Sequence, residues 1–370
     1  MKAYKISKEK LKNYLIGRSF LNNKAKSILE VLRKIKCIQV DPINVIARSH
    51  ELALFNRVEN FSLKDLNDGL YGKRNLFEYW MQLFSIIPLE YYGYLSARRK
   101  ARESWHSEYY QKHKREINLT LKFILEKGVV SSKDLKHIPK ADSLFSWSND
   151  SSSSSLLEYL WDIGKLMIHH REKNQKYYSL TNDLIDEKNM KKASYEELVG
   201  FYFRSAFDYL GIVRKPFLSH RIGYSDNLKL FSILEESCRK GDIVKLEVEG
   251  AATTYYATAD SLSEIEGSLR GHEGLNILPP LDPLIIDRRV LKDVFDFEYT
   301  WEAYVPKDKR KFGYYGMSLL YNGRIVGQIE FRRTKAGKVD LVKLETNEKT
   351  KGFKKALGLE IERLEKLISS

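Results

Sequence analysis

The chain has 370 residues, with 63 Lys or Arg against 49 Asp or Glu, a net charge of +14 and a pI near 9.3. At roughly 100 to 200 residues per unit this length predicts two to four compact units; a content of 43% apolar residues, with 23 Tyr and 17 Phe, excludes a disordered, collagen-like or mucin-like chain. The charge favours a phosphate-bearing partner, nucleic acid or an anionic membrane, over an acidic protein, and no apolar run approaches the roughly 20 residues that span a bilayer.

The first residues, MKAYKISKEKLKNYLIG, scatter lysines and contain no apolar secretory core, which predicts a cytoplasmic protein, associated with the nucleoid when bound to DNA. Cys37 and Cys238 lie far apart within apolar patterns and are expected as reduced core thiols. Apolar spacing predicts two amphipathic helices over 5–36, broken at Gly17 to Asn23. In CIQVDPINVIARSHELALFNRV, the Asp41-Pro42 peptide ends one element, and Pro42 suits the first turn of a helix expected from Ile43 to about Val58.

From Asn118 the order changes: a helix NLTLKFILEKG, a short helix SSKDLKHI, a loop ending in five serines (151–155), a helix SLLEYLWDIG and a strand pair LMIHHREKNQKYYSL. Helix, helix, helix, hairpin is the winged helix-turn-helix order, with Ser131 as an expected N-cap, Gly128 and Gly164 as C-caps, and a polar hairpin tip at Glu172 to Gln175. The order repeats in SYEELVGFYFRSAFDYLG, the connector VRKPFLSHR, helix DNLKLFSILEESCRKG and hairpin IVKLEVEGAATTYYATA. The last hundred residues predict a β-meander of WEAYVP, YYGMSLLY, RIVGQIEFRR and VDLVKLE, with a type I′ turn at Asn322-Gly323 and a closing helix from Lys354 to Ile368. The expected class is α+β, divided at 1–115, 116–190, 191–270 and 271–370.

The eight histidines form no HExxH or Cys/His ladder, and His169 and His170, adjacent in a strand, are expected on opposite faces; no metal site is predicted. No phosphate-cradling glycine motif is present, so no cofactor is expected. Asp282, Asp287 and Glu330 suggest a divalent-metal nuclease, but the lysine usual after the second acid is absent, and beside Arg332, Arg333 and Lys335 an exposed basic face is the simpler reading. Gln39-Val40-Asp41-Pro42 is more informative. The residue before proline is extended, so Gln39 and Asp41 point the same way and together can hold and polarise one water or stabilise a positive sugar; the bland alternative makes Asp41 a helix cap with Pro42 at the first helical position. Three basic clusters with aromatic neighbours predict phosphate contacts: Arg98, Arg99, Lys100 and Arg102 with Trp105, Tyr109 and Tyr110; Arg171, Lys173 and Lys176; and Arg332, Arg333 and Lys335.

Four segments carry a resemblance over nearly the whole chain: IQVDPINVIARSHELALFNR, LFEYWMQLFSIIPLEYY, LLEYLWDIGKLMIHHR with KYYSLTNDLI, and ILPPLDPLIIDRRVLKDVFDFEYTWEAYVPKDKRKFGYYGMSLLYNGRIVGQIE. With these the chain resembles the YcaQ-type winged-helix DNA glycosylases, which include the crosslink enzymes AlkX and AlkZ. The resemblance implies three tandem winged-helix units and a C-terminal β-rich domain, C-shaped around a basic cleft for duplex DNA. It also implies metal-independent, monofunctional hydrolysis of the N-glycosidic bond of N7-alkylguanine, with unhooking of interstrand crosslinks by a monomer. The family's catalytic motif is Gln, an apolar residue, then Gln or Asp; here Gln39 and Asp41 match the carboxylate-bearing branch, and Asn44, Arg48 and Ser49 follow as implied DNA contacts. The chain departs from the family at Gln82, where a histidine is expected after the tryptophan, and at Gln328 and Glu330, where Arg and Asp are more usual. A reading from another class is a non-enzymatic winged-helix regulator in which Asp41 only caps a helix; such a protein would usually dimerise on one palindromic sequence.

Overall fold

The computed structural model describes residues 3–81, 83–144, 153–220, 227–268 and 271–369. The chain forms two units, Met1–Leu66 with Met81–Ser85 and Tyr202–Ser370, and Asn67–Trp80 with Ile86–Phe201.

The first unit contains two sheets. Helices Lys8–Arg18 and Ile28–Ile35 begin at Ser7 and Ser27, whose hydroxyls accept Lys10 N–H at 3.3 Å and Glu30 N–H at 3.2 Å. Residues 5 and 6, expected to open the first helix, instead belong to strand Ala3–Ile6, which runs parallel to Ile243–Val248 with Tyr4 opposite Leu246. Its sheet is ordered Ala3–Ile6, Ile243–Val248, Thr254–Thr258, Ile212–Val213. Helices Tyr195–Leu210 and Asn227–Lys240 and the hairpin follow the order expected for 194–259, whereas the stretch expected as a connector contains helix Lys215–His220.

The second sheet is antiparallel, in the order Leu275–Leu278, Met317–Tyr321, Arg324–Arg333, Val339–Thr346. Asn322 and Gly323 have φ of 46° and 77°, the two positive values that a type I′ turn demands. One predicted strand is absent. WEAYVP forms turns, because Glu302 is buried and its carboxylate accepts the N–H groups of Lys311, Phe312 and Gly313 at 3.0, 2.6 and 3.1 Å, which folds the segment back on itself. Leu275–Leu278 occupies the edge instead.

Helix Lys351–Ser369 covers one face of this sheet, so that Phe353, Leu357, Leu364 and Leu367 pack on Leu275, Ile277, Met317, Leu319, Ile329 and Phe331. Each large apolar side chain buried there contributes on the order of 1.5–3 kcal/mol. Ile46, Ala47 and Leu52 belong to the same core, with Ile43 and Val45 packed against it, so the segment after Asp41-Pro42 is docked on the C-terminal sheet.

In the second unit helices Ser96–Trp105, Ser107–Lys127 and Ser153–Asp162 precede the hairpin Leu166–Glu172 with Gln175–Leu180. Asp162 is fully buried and accepts Arg102 Nε at 2.7 Å and pairs with His106 Nε2 at 2.9 Å, which ties the helices together. The short helix expected over 131–138 is a series of turns, in which the Asp134 carboxylate takes both the N–H and the hydroxyl of Ser131 at 2.7 Å. The expected serine loop is also revised: Ser153 to Ser155 start a helix, with Ser153 and Ser155 buried, and 151–152 lie outside the described residues. A register shift between Ile168 and His170 breaks the alternation, so His169 and His170 do not face apart; their Nδ1 atoms meet at 2.8 Å.

Candidate active site

Strand Ile38–Gln39 leads into the motif, and Val40 N–H donates to the Phe84 carbonyl at 2.8 Å, holding the backbone extended up to Asp41. The expected helix does not begin at Ile43. Asp41 Oδ1 accepts the Ile43 N–H at 3.1 Å, a side-chain turn that reverses the chain, and the next helix starts only at Ser49 and runs to Arg57. Its start is stabilised by Glu51, whose carboxylate accepts the Arg48 N–H at 2.7 Å. Residues 42–48 form a loop closed by a backbone bridge between Asn44 and Arg48. Asp41 is therefore no helix cap.

Asp41 is 4% exposed. Its Oδ1 is used by the turn, while Oδ2 is buried with no hydrogen-bond partner among the described residues. Desolvation pushes its pKa up, and the Ile43 N–H only partly offsets that. A buried carboxylate with one uncommitted oxygen and raised basicity can take a proton from water or stand as a negative charge beside a developing cation.

The wall behind the motif comes from the C-terminal sheet and the helix at 49–57. Tyr315 is fully buried, its hydroxyl forms no hydrogen bond of good geometry, and the Asp41 charge and the Ser49 hydroxyl both act on it. Ser49 is buried and its hydroxyl accepts the Leu281 N–H at 3.3 Å, so it lines this wall instead of meeting a phosphate at the surface. Gln39 and Arg48 are half-buried and Asn44 is exposed.

Several expected phosphate contacts are committed elsewhere. Arg98 and Arg99 are each 8% exposed, and Arg99 lies over the Tyr92 ring at 3.8 Å while donating to the Tyr92 carbonyl at 2.9 Å. Arg171 makes a two-pronged pair with Glu78 at 3.0 and 2.8 Å, to which Tyr71 also donates, and half-buried Lys176 sits over Trp161 at 5.5 Å. Lysine and arginine count alone does not distinguish such interior cations from surface ones. Lys173, at the hairpin tip, is exposed, as are Arg332, Arg333 and Lys335; Arg332 pairs with Asp340 and Arg333 donates to the Ile368 carbonyl at 2.7 Å.

The acids considered for a nuclease have separate partners. Asp282 pairs with Arg57, Asp287 with Arg214 at 2.9 Å, and Glu330 accepts the N–H groups of Tyr314 and Tyr315 at 2.8 and 3.1 Å. No group of three or more metal-binding side chains is found among the described residues. Of the departures, Gln328 is buried in the sheet, and Gln82 lies outside the described residues. Sequence reasoning missed Tyr315, Glu302 and the exposed basic stretch Lys307, Lys309 and Lys311; the run PKDKRKFGYYG, basic then aromatic and glycine-rich, was the available signal.

The motif thus places one buried carboxylate, with one oxygen used by the turn, in a strongly basic chain. The DNA glycosylase AlkZ-like family model matches residues 32–367, and the chain belongs to that family. It is a DNA glycosylase, with DNA as its substrate. The fold is similar to that of Streptomyces sahachiroi DNA glycosylase AlkZ, with a TM-score of 0.66 at 14% sequence identity, over 99% of this chain and 98% of that chain. No helix among the described residues is long and apolar enough to cross a membrane.

Proposed function

We propose that the protein hydrolyses the N-glycosidic bond of N7-alkylguanine in duplex DNA and unhooks interstrand crosslinks through such guanines, acting as a metal-independent, monofunctional monomer. The observation that carries this reading is the uncommitted Oδ2 of Asp41 in a buried position. N7 alkylation makes the guanine cationic, so the base leaves as a neutral molecule and needs no strong general acid. Negative charge and a water are needed at the sugar as it approaches an oxocarbenium ion. Asp41 supplies that charge and takes the proton of the attacking water, while Gln39 orients the water. The oxygen bonds to C1′, the C1′–N9 bond breaks, and its electron pair departs with the base.

The element order at 194–259 supports reading that stretch as a winged helix, and the same organisation is proposed for the units at 1–115 and 116–190, with a β-rich domain at 271–370 and a basic, C-shaped DNA cleft. Proposed backbone contacts are Asn44, Arg48, Lys173, Arg332, Arg333 and Lys335, all reachable from solvent, with the Lys307 to Lys311 stretch added. Arg98, Arg99, Arg171 and Lys176 are proposed to act by supporting the surfaces that carry these contacts. The test is to incubate the protein with a duplex containing N7-methylguanine and with a nitrogen-mustard crosslink. Release of the methylated base and separation of the crosslinked strands are expected; release on neither substrate would overturn the reading.

A further inference from the structure

The segment before strand Met317–Tyr321 is held unusually tightly. Five consecutive backbone N–H groups, from Lys311 to Tyr315, are taken by two carboxylates: Glu302 accepts the first three and Glu330 the last two, at distances of 2.6 to 3.1 Å. Gly313 sits at φ +103°, and a Cβ there would lie 2.0 Å from Glu330 Oε2, so the close approach requires glycine. The Tyr299 hydroxyl donates to the Gly316 carbonyl at 2.6 Å, and Trp301 meets the Tyr315 ring edge-to-face at 6.4 Å. All of this fixes one side chain, Tyr315, in the core that also contains Ile46 and Ala47 from the motif loop.

A tyrosine buried this deeply normally gives its hydroxyl a partner. Here the phenol oxygen and Asp41 Oδ2 are both buried, and neither makes a hydrogen bond of good geometry among the described residues; the Ser49 hydroxyl lies beside the phenol and the Asp41 charge acts on it. Two unsatisfied polar atoms in the same wall are the signature of a position meant for a third group.

The geometry points to Tyr315 as a positioning residue for the glycosylase reaction: its hydroxyl and Asp41 Oδ2 together hold the attacking water. The inference rests on the reaction proposed above and adds the group that places the water. The phenol stays protonated throughout, since burial and the Asp41 charge both push its pKa upward, so it donates while Asp41 accepts. The other titratable groups acting on it are Tyr299 and Glu51, the first bonded to Gly316 and the second to the Arg48 N–H.

Tyr315→Phe removes a hydroxyl whose neighbouring protein hydroxyl, Ser49, keeps its own bond to the Leu281 N–H, so the fold is expected to survive, as checked by its melting temperature. Single-turnover release of N7-methylguanine is expected to fall about ten- to a hundredfold with unchanged DNA affinity. The acid limb of the pH–rate profile is expected to move to higher pH, because loss of a donor makes ionised Asp41 less favourable; a purely structural tyrosine would not move it. Wild-type rate and an unmoved limb in Tyr315→Phe, with Asp41→Asn inactive, would overturn the role of Tyr315 alone. No release by the native protein would overturn the underlying reaction.

Discussion

Arg57 donates to both carboxylate oxygens of Asp282 at 2.6 Å, with neither side chain exposed to solvent. Arg57 ends the helix that follows the motif loop, and Asp282 sits in the ILPPLDP turn after strand Leu275–Leu278. The pair thus clamps the helix after the 42–48 loop to the C-terminal sheet. Asp282 also accepts the Leu284 N–H at 2.9 Å, and Arg57 donates to the Ala53 carbonyl at 2.9 Å.

Removing one partner leaves the other charge buried and alone. Arg57→Ala is expected to cost about 3–5 kcal/mol of stability, whereas replacing both residues with apolar ones of similar volume should cost far less. Denaturant unfolding of the single and double variants measures the difference.

Asp41 is expected to trade stability for activity. Its pKa is raised by desolvation, so the folded state prefers the protonated form; the ionised form at neutral pH costs stability, and that cost disappears as pH falls below the ordinary aspartate range. Asp41→Asn keeps an oxygen for the Ile43 N–H and should raise the melting temperature at pH 7, on the order of a few degrees, with the gain vanishing in acid. Calorimetry of both proteins at several pH values checks the sign.

Gly313→Ala forces a Cβ into Glu330 and onto an unfavourable φ. A loss of about 1–3 kcal/mol is expected, together with slower base release, because Tyr315 lies two residues on. Thermal melts alongside single-turnover kinetics would show whether the two losses occur together.

Lys335 is exposed near the end of the long hairpin. If it contacts the DNA backbone, Lys335→Ala should weaken binding to all duplexes alike and reduce the slope of log affinity against log salt by about 0.9. A salt titration of binding to two unrelated duplexes measures both effects.

Local chemistry accounts for what the sequence revealed. Asn322-Gly323 was legible because both residues tolerate positive φ, and the closing helix because its apolar spacing is regular. The motif was found because proline restricts Asp41, yet the helix expected at Ile43 was not there: the Asp41 carboxylate captured the Ile43 N–H and turned the chain. Longer-range capture was hidden. Nothing within WEAYVP signals that Glu302 takes three N–H groups some ten residues later, and nothing near residue 4 signals a parallel partner at Leu246. Tyr315 was invisible for the same reason, since its position depends on Glu302 and Glu330 together.

The most direct measurement is release of N7-methylguanine from a duplex in EDTA by the native protein and by Asp41→Asn. The account requires robust release by the native protein despite the chelator and a fall of about 10²- to 10⁴-fold in the variant. Equal rates in the two proteins, or release abolished by EDTA, would contradict it.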